Sequence, residues 1–449
     1  MSGRFAGERA VVVGAGVAGA GAARALSAEG ARVLVTEIRA ETAVSSTAEL
    51  RAMGVEVWAG GHDPSHLERA TLVVAGPGVP PSADVLRWAR ERGLPVWGEM
   101  ELGARLARVP YLAVTGTNGK TTVASMIEAC LRRGGHDALA CGNIGLSFPE
   151  AAREDREVLV VEVSSFQLAL QGSFHPTISV LLNVAPDHLD WHGTFEAYAA
   201  AKARIHELQA GTDVHVGNRD DHVAAEISSR ADCVLRWFGL GPPEEGEVGY
   251  AGDDLVARID GTHHLGPIDR ERAGYREDAA AAAAVAISYG VDPAAAAAAL
   301  AGFRPGPHRG EVVATVGGVR FIDNSKATNV HAAAAAIDAA GDAVLIVGGR
   351  AKGVDLSPLR DHSGHLRAVV AIGESTPDVV DVFEGSLPTS AAGSIEEAVR
   401  DAFAVAVPGD IVLLAPACAS WDQFESYVER GDRFAAAARS LRAEAGARG

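Results

Sequence analysis

With 449 residues, 48% of them hydrophobic and 22% charged, the chain has a globular composition and the length of two or three domains. A formal charge of −18 argues against nucleic acid or an anionic membrane surface as partner, so a phosphate ligand must be met by local amides, a helix end, a lysine or a metal ion. Four cysteines without CxxC or Cys/His spacing argue against a disulfide frame or zinc site, and with neither a signal-peptide pattern nor an apolar run of about 18 residues the expected location is the cytoplasm.

Short β-branched runs alternate with helical stretches along the chain, which predicts an α/β fold of parallel sheets covered by helices. The first run, "RAVVVGA", leads into "GAGVAG", where Gly14, Gly16 and Gly19 complete GxGxxG ahead of a helix. Glycine permits the tight turn and close backbone approach, and the helix N-terminus attracts phosphate. "RVLVTE" then ends at Glu37, where a ribose-binding carboxylate would stand. The pattern suits a nucleotide or nucleotide-sugar; it also suits a tight turn packing on itself, and it does not separate NAD from another diphosphate. "TLVVAG" is the next strand and leads to Gly78.

Near residue 107, "LARVPYLAVTG" restarts the strand–loop–helix pattern after an amphipathic helix. "TGTNGKTT" at 115–122 is a shortened relative of the Walker A loop, GxxGK[ST], with Val114 where the first glycine usually stands. Gly116 and Gly119 let backbone amides face phosphate oxygens, Lys120 would pair with the β/γ-phosphates, and the Thr121 hydroxyl would ligate Mg²⁺. Glu162 lies inside the apolar strand "VLVVEVSSF", where a carboxylate must be paired or on a metal; a Mg²⁺ ligand opposite Thr121 is weighed against an internal salt bridge. "ISVLLNV" runs into "NVAPDHLDWHG" at 183–193, which offers Asp187, His188, Asp190 and His192, with His188 taken as the metal ligand. Lys202 in "KARIHE" reads, by itself, as a solvated helix lysine. Residues 241–274 mix Gly, Pro and acidic residues with short strands, a small meander.

"GFRPGPHRGE" at 302–311 is a proline- and glycine-rich joint before a further α/β set. "FIDNSKATN" at 321–329 follows a strand with Asp323, Asn324, Ser325, Lys326, Thr328 and Asn329, a density that suits oxyanion or phosphate recognition or an ordinary polar turn. The strands "AVLIVGG", "AVVAIG" and "DIVLLAP" follow, with Lys352 after the first and Ser420 after the last. Ligands of open α/β sheets bind at the carboxyl ends of strands, where these segments fall.

In this order "TGTNGKTT", "EVSSFQL", "NVAPDHLDWHG", "YAAAKARI", "PHRGE", "DNSKATN" and "APACASWDQFESYVERGDRF" resemble the Mur ligases of peptidoglycan synthesis over nearly the full chain. "SKATN" and the C-terminal "CASWDQFESYVERGDRF" are most similar to the branch that adds D-glutamate. The resemblance implies three domains: a Rossmann-like UDP-sugar-binding domain at 1–107, a central P-loop-type ATPase domain at 108–303, and a Rossmann-like acceptor domain at 304–449. It implies the reaction of ATP, UDP-N-acetylmuramoyl-L-alanine and D-glutamate through an acyl phosphate, by a monomer without nucleic-acid or membrane partners. Closure of the last domain onto the centre would assemble Lys326 and Ser420 with Lys120 and Glu162.

Carried over by motif, Lys120, His188, Lys202 and Lys326 are the catalytic group. Gly116, Thr117, Asn118, Gly119, Lys120, Thr121, Thr122, Arg309 and Asn324 would meet ATP. Thr121, Glu162, His188 and Lys202 would hold two Mg²⁺ ions, with Lys202 carbamylated by CO₂ so that a cation becomes an anionic oxygen ligand. Val17, Ala18, Glu37, Arg39, Gly78 and Asn143 match positions near the UDP-sugar, and Thr328, Lys352, Ser420 and Tyr427 surround the incoming D-glutamate.

The chain departs from the family at four points. Asn324 stands where the family commonly has Asp before Ser-Lys, "GYREDAAAA" replaces the usual HNxxN adenine stretch, Tyr427 replaces a frequent Phe, and Glu37-Ile38 replaces Asp-Thr. Other readings are a sibling or folylpolyglutamate synthase-like ligase with another acceptor, a dehydrogenase built on the first loop, and a nucleotide-binding homologue without turnover. The early GxGxxG segment argues against the folate enzyme, and a dehydrogenase would leave "GTNGKT" and "SKATN" without a role.

Overall fold

The apolar runs become strands buried on both faces, which parallel sheets covered by helices require. The computed structural model describes residues 3–268 and 274–446, and its strands form three sheets.

The first sheet runs Glu56–Ala59, Arg32–Glu37, Arg9–Val13, Leu72–Ala75, Val96–Gly98, all parallel. Its order reverses direction at Arg9–Val13, the switch point of a doubly wound sheet, and the glycine loop to the helix Val17–Ala28 leaves from there.

The second sheet has nine strands, in the order His263–Pro267, Asp254–Ala257, Glu247–Ala251, Val234–Phe238, Val214–Asn218, Ile178–Leu181, Tyr111–Thr115, Val158–Glu162, Ala138–Gly142. The first three pair antiparallel, the expected meander, and the rest pair parallel. Tyr111–Thr115 sits between Val158–Glu162 and Ile178–Leu181, with Val114 opposite Glu162 and Thr115 opposite Leu181. That register brings three strand ends level and places the phosphate loop beside Glu162.

The third sheet runs Glu311–Val316, Val319–Asp323, Ile411–Leu414, Ala343–Gly348, Leu366–Ile372, Thr389–Ala391, and only its first pair is antiparallel. Alternate residues of one strand serve opposite layers. Leu345 packs with Ala333 and Ile337, whereas Val344 and Ile346 pack with Val399, Phe321 and Phe434.

By compactness the chain divides into two units. The first comprises the chain up to Val184, Ala199–Ile268 and Glu277–Phe303, and holds the first two sheets. Within it one apolar cluster runs from Val12 and Leu26 through Phe148 and Phe174 to Tyr111, Val161 and Ile205, so the two sheets share a core. The second unit takes in Ala185–Tyr198 and the chain from Arg304 on, with the third sheet. No helix among the described residues is long and apolar enough to cross a membrane. Cys130, Cys141 and Cys418 are buried free thiols and Cys233 is half-buried. Burial pushes the Cys130 thiol up to about 12, as befits a packing residue.

Candidate active site

In the first unit the GxGxxG loop has the backbone its glycines permit. Gly14 has φ 94, and a Cβ on Gly19 would lie 2.0 Å from the Gly14 carbonyl oxygen, so close packing of helix on strand excludes any side chain there. Gly16 caps the helix, and Val17 stands exposed with Ala18 in its first turn. Glu37 turns back onto the loop: its Oε2 accepts the Ala15 amide at 2.7 Å, and both oxygens accept Arg39 groups at 2.9 to 3.0 Å. Burial would raise this carboxyl, but the Arg39 guanidinium and the two amides outweigh it and hold Glu37 at about 2.

The phosphate loop connects Tyr111–Thr115 to the helix Lys120–Arg133. Gly119 caps that helix in left-handed backbone at φ 83, and a Cβ there would meet Asp278 Oδ1 at 2.4 Å. The helix forms because Val123, Met126, Ile127, Cys130 and Leu131 make one buried stripe and Arg132 and Arg133 complement its C-terminal end. The amides of Thr117 and Asn118 donate to the backbone and side-chain oxygens of Asn183. Lys120 Nζ donates to the Gly116 and Thr117 carbonyls at 2.8 Å, holding the ammonium over the loop, and Thr122 follows Thr121 in the same helical turn.

Glu162 ties this loop to a further candidate segment. Its Oε2 accepts the Thr121 hydroxyl at 2.9 Å and its Oε1 accepts Asn143 Nδ2 at 2.9 Å, while the residue is 1% exposed. Both of these partners are neutral donors. A hydroxyl and a carboxylate are hard oxygen donors of the kind Mg²⁺ takes together with substrate phosphates and water. Among the described residues no three His, Cys, Asp or Glu side chains gather as a metal centre.

Lys202 is not a solvated helix lysine. It is 1% exposed at the end of the helix Phe195–Ala203, and its Nζ donates to the Gly116 carbonyl at 2.6 Å. Lys120 and Lys202 therefore converge on one carbonyl of the phosphate loop. Gly78 lies in the turn after Leu72–Ala75, where Val79 donates its amide to the Gly76 carbonyl.

In the second unit His188 caps the short helix Leu189–His192 in left-handed backbone. Its amide donates to Asp187 Oδ1 at 2.9 Å, and that oxygen also accepts Lys352 Nζ at 2.8 Å. Lys326 Nζ lies 4.0 Å from the centre of the Tyr427 ring, a cation–π contact, and its amide donates to the His308 carbonyl. Thr328 donates its amide to the Lys326 carbonyl, and Ser420 is buried at the turn that starts "SWDQF". Arg309 donates to the Pro307 carbonyl, and the Asn324 amide donates to Leu414. Asp323, the acid displaced by one position, is fully buried and bonded to His308 Nδ1 at 2.7 Å, so it serves the interior of this loop.

Sequence reasoning passed over Arg430. Its guanidinium is fully buried and donates to Ser325 Oγ at 3.0 Å, Ser325 O at 2.9 Å and Cys418 O at 3.2 Å, bracing the "SKATN" segment against "CASWDQF". Burial lowers it to about 10, so it stays a cation near neutrality. His188, His308, Lys352 and Ala417 all hold left-handed backbone without being glycine. Such strain persists only where surroundings over-determine it, as at functional loops, and it has no sequence signal.

Three domain families match the chain in order. These are Mur ligase MurD-like N-terminal domain over residues 8–98, Mur ligase middle domain over 114–248, and Mur ligase glutamate ligase domain over 308–418. The UDP-N-acetylmuramoylalanine--D-glutamate ligase of Frankia casuarinae is 43% identical across 97% of this chain and 95% of its own. The protein of the same name from Acidobacterium capsulatum is 40% identical, covering 95% of each. Among solved structures, UDP-N-acetylmuramate-alanine ligase MurC of Thermotoga maritima superposes with a TM-score of 0.60 at 18% identity, covering 96% of this chain and 99% of that one. The MurF ligase of Thermotoga maritima in complex with ADP gives 0.59 at 19% identity, covering 90% and 95%.

Proposed function

The chain belongs to the Mur ligase family, and from that premise we propose that it is an ATP-dependent ligase joining D-glutamate to UDP-N-acetylmuramoyl-L-alanine in peptidoglycan precursor synthesis. The observation that carries the proposal is Glu162: one buried carboxylate accepts hydrogen bonds from Thr121 of the phosphate loop and from Asn143, the candidate sugar contact. The carboxylate that must be activated and the phosphate that activates it would thereby share one anchor.

In the first step an oxygen of the alanine carboxylate attacks the γ-phosphorus of ATP, and the bond to ADP breaks. In the second, the D-glutamate amine attacks the acyl-phosphate carbonyl, loses a proton, and the tetrahedral intermediate expels inorganic phosphate. Two anions must meet in the first step, so cations have to offset their repulsion. In the first unit Lys120, the Gly116 and Gly119 amides and the Thr117 and Asn118 side chains are assigned to the triphosphate, and in the second unit Arg309, Asn324 and Lys326 are assigned to phosphate recognition. Thr121 and Glu162 would hold Mg²⁺, which would supply charge neutralisation at the triphosphate; carbamylated Lys202 in the first unit and His188 in the second are each assigned as metal ligands. A carbamate nitrogen keeps one N–H, so the bond from Lys202 to Gly116 could persist after modification.

Val17, Ala18, Glu37, Arg39 and Gly78 are assigned to the UDP end, and Thr328, Lys352, Ser420 and Tyr427 to D-glutamate. The three domains are proposed at 1–107, 108–303 and 304–449, acting as a cytoplasmic monomer. Mass spectrometry of the UDP-sugar after incubation with ATP, Mg²⁺ and D-glutamate tests the assignment. A gain of one glutamate residue that depends on ATP supports it; an unchanged UDP-sugar with active ATP turnover contradicts it.

A further inference from the structure

In the second unit Lys352, assigned above to D-glutamate, forms a buried ion pair with Asp187, which has no role assigned so far. Lys352 Nζ lies 2.8 Å from Asp187 Oδ1, with the two side chains 7% and 8% exposed. Asp187 Oδ2 accepts Asn329 Nδ2 at 3.3 Å, and Oδ1 also accepts the His188 amide. One carboxylate thus touches the histidine loop, the end of the "SKATN" segment and the loop after Ala343–Gly348. Lys352 itself holds left-handed backbone at φ 56 between Gly349 at φ 134 and Gly353 at φ 73, a conformation that a lysine keeps only where neighbours impose it.

We propose that Asp187 is a positioning residue for the acceptor. It fixes the Lys352 ammonium from one side, so that the other N–H donors of the same ammonium meet the side-chain carboxylate of the incoming amino acid. An ammonium carries three donors, and Asp187 accepts one of them. A lysine held by a fixed partner loses less rotamer freedom when the acceptor arrives, which lowers the cost of binding it. The proposal rests on the assignment of Lys352 to the acceptor carboxylate, and it predicts that loss of Asp187 falls on acceptor binding ahead of turnover.

The test is a kinetic double-mutant cycle on the full chain with ATP and the UDP-sugar saturating. Asp187→Asn keeps the shape and an acceptor for the His188 amide but removes the charge. It should raise KM for D-glutamate about tenfold or more, with kcat, KM for ATP and the Mg²⁺ requirement within about threefold of wild type. Asp187→Glu should recover part of the loss. Lys352→Met should raise the same KM, and combining it with Asp187→Asn should add nothing further. An acceptor KM unchanged in Asp187→Asn would overturn the proposal, as would multiplying effects in the double variant or a loss confined to ATP and Mg²⁺, which would place Asp187 with His188 instead. If Asp187→Asn does not fold, Asp187→Glu carries the same cycle, with a smaller rise that must vanish beside Lys352→Met. Wild type without D-glutamate-dependent turnover would sink the functional reading itself; wild-type turnover with an unchanged variant KM sinks this inference alone.

Discussion

The Thr121 hydroxyl donates to Glu162 Oε2 at 2.9 Å, joining the first turn of the phosphate-loop helix to the end of the neighbouring strand. The register that sets Val114 opposite Glu162 produces this contact, so strand pairing delivers the carboxylate to the loop. Glu162→Gln keeps the size and the acceptor from Thr121 but removes the anion. We expect kcat to fall by about a hundredfold or more, with a higher Mg²⁺ requirement, because the lost interaction is electrostatic. Magnesium titrations of the turnover rate check this.

Lys202 is buried and aimed at the Gly116 carbonyl. If it carries a carbamate, ¹³C-labelled CO₂ should give one protein-bound carbamate resonance that is absent from Lys202→Ala. Activity should fall in CO₂-depleted buffer and return with bicarbonate. A spectrum without that resonance in active enzyme would remove Lys202 from the metal-binding group.

Two glutamates should bend the pH–stability curve in opposite directions. Burial of Glu99, only partly offset by a hydrogen bond from Gln167, pushes its carboxyl up to about 7. The fold then holds a proton that the unfolded chain releases near 4.5, so this position loses stability as pH rises from there through 7. Glu99→Gln should therefore melt higher than wild type by a few degrees near pH 8, with the gap closing near pH 5. Glu37, held at about 2 mainly by Arg39 against its own burial, contributes stability above 4.5 that is lost as pH falls towards 2. Glu37→Gln should melt lower than wild type near pH 7 and converge with it in acid. Thermal melts across pH check both signs.

Arg430 forms three hydrogen bonds that brace the Lys326 segment against the turn leading to Ser420. Arg430→Met leaves the Ser325 and Cys418 carbonyls unpaired, at about 1–3 kcal/mol each. We expect a melting temperature lower by several degrees and a turnover loss that Arg430→Lys does not restore, since an ammonium cannot reproduce the guanidinium fork. A variant with wild-type melting and turnover would show that the brace is dispensable.

The sheets and the phosphate loop could be read from sequence because their determinants are contiguous: an apolar strand, glycines with lysine and threonine, then an amphipathic helix. Lys202 could not be read so, since its burial depends on Gly116, far away in the chain; only resemblance singled it out. Arg430 in "YVERGDRF" has the local look of a solvated helix arginine, and only Ser325 and Cys418 make it structural. Asp187 was visible as one acid in a polar cluster, but its partner Lys352 comes from another loop. Asp323 stood in a segment suited to phosphate recognition, whereas His308 draws it into the interior.

The most direct measurement is phosphate release from ATP with Mg²⁺ and UDP-N-acetylmuramoyl-L-alanine, comparing D-glutamate with L-glutamate, meso-diaminopimelate and D-alanyl-D-alanine. The account predicts release with D-glutamate alone. Release driven by another acceptor, or by none, would contradict it.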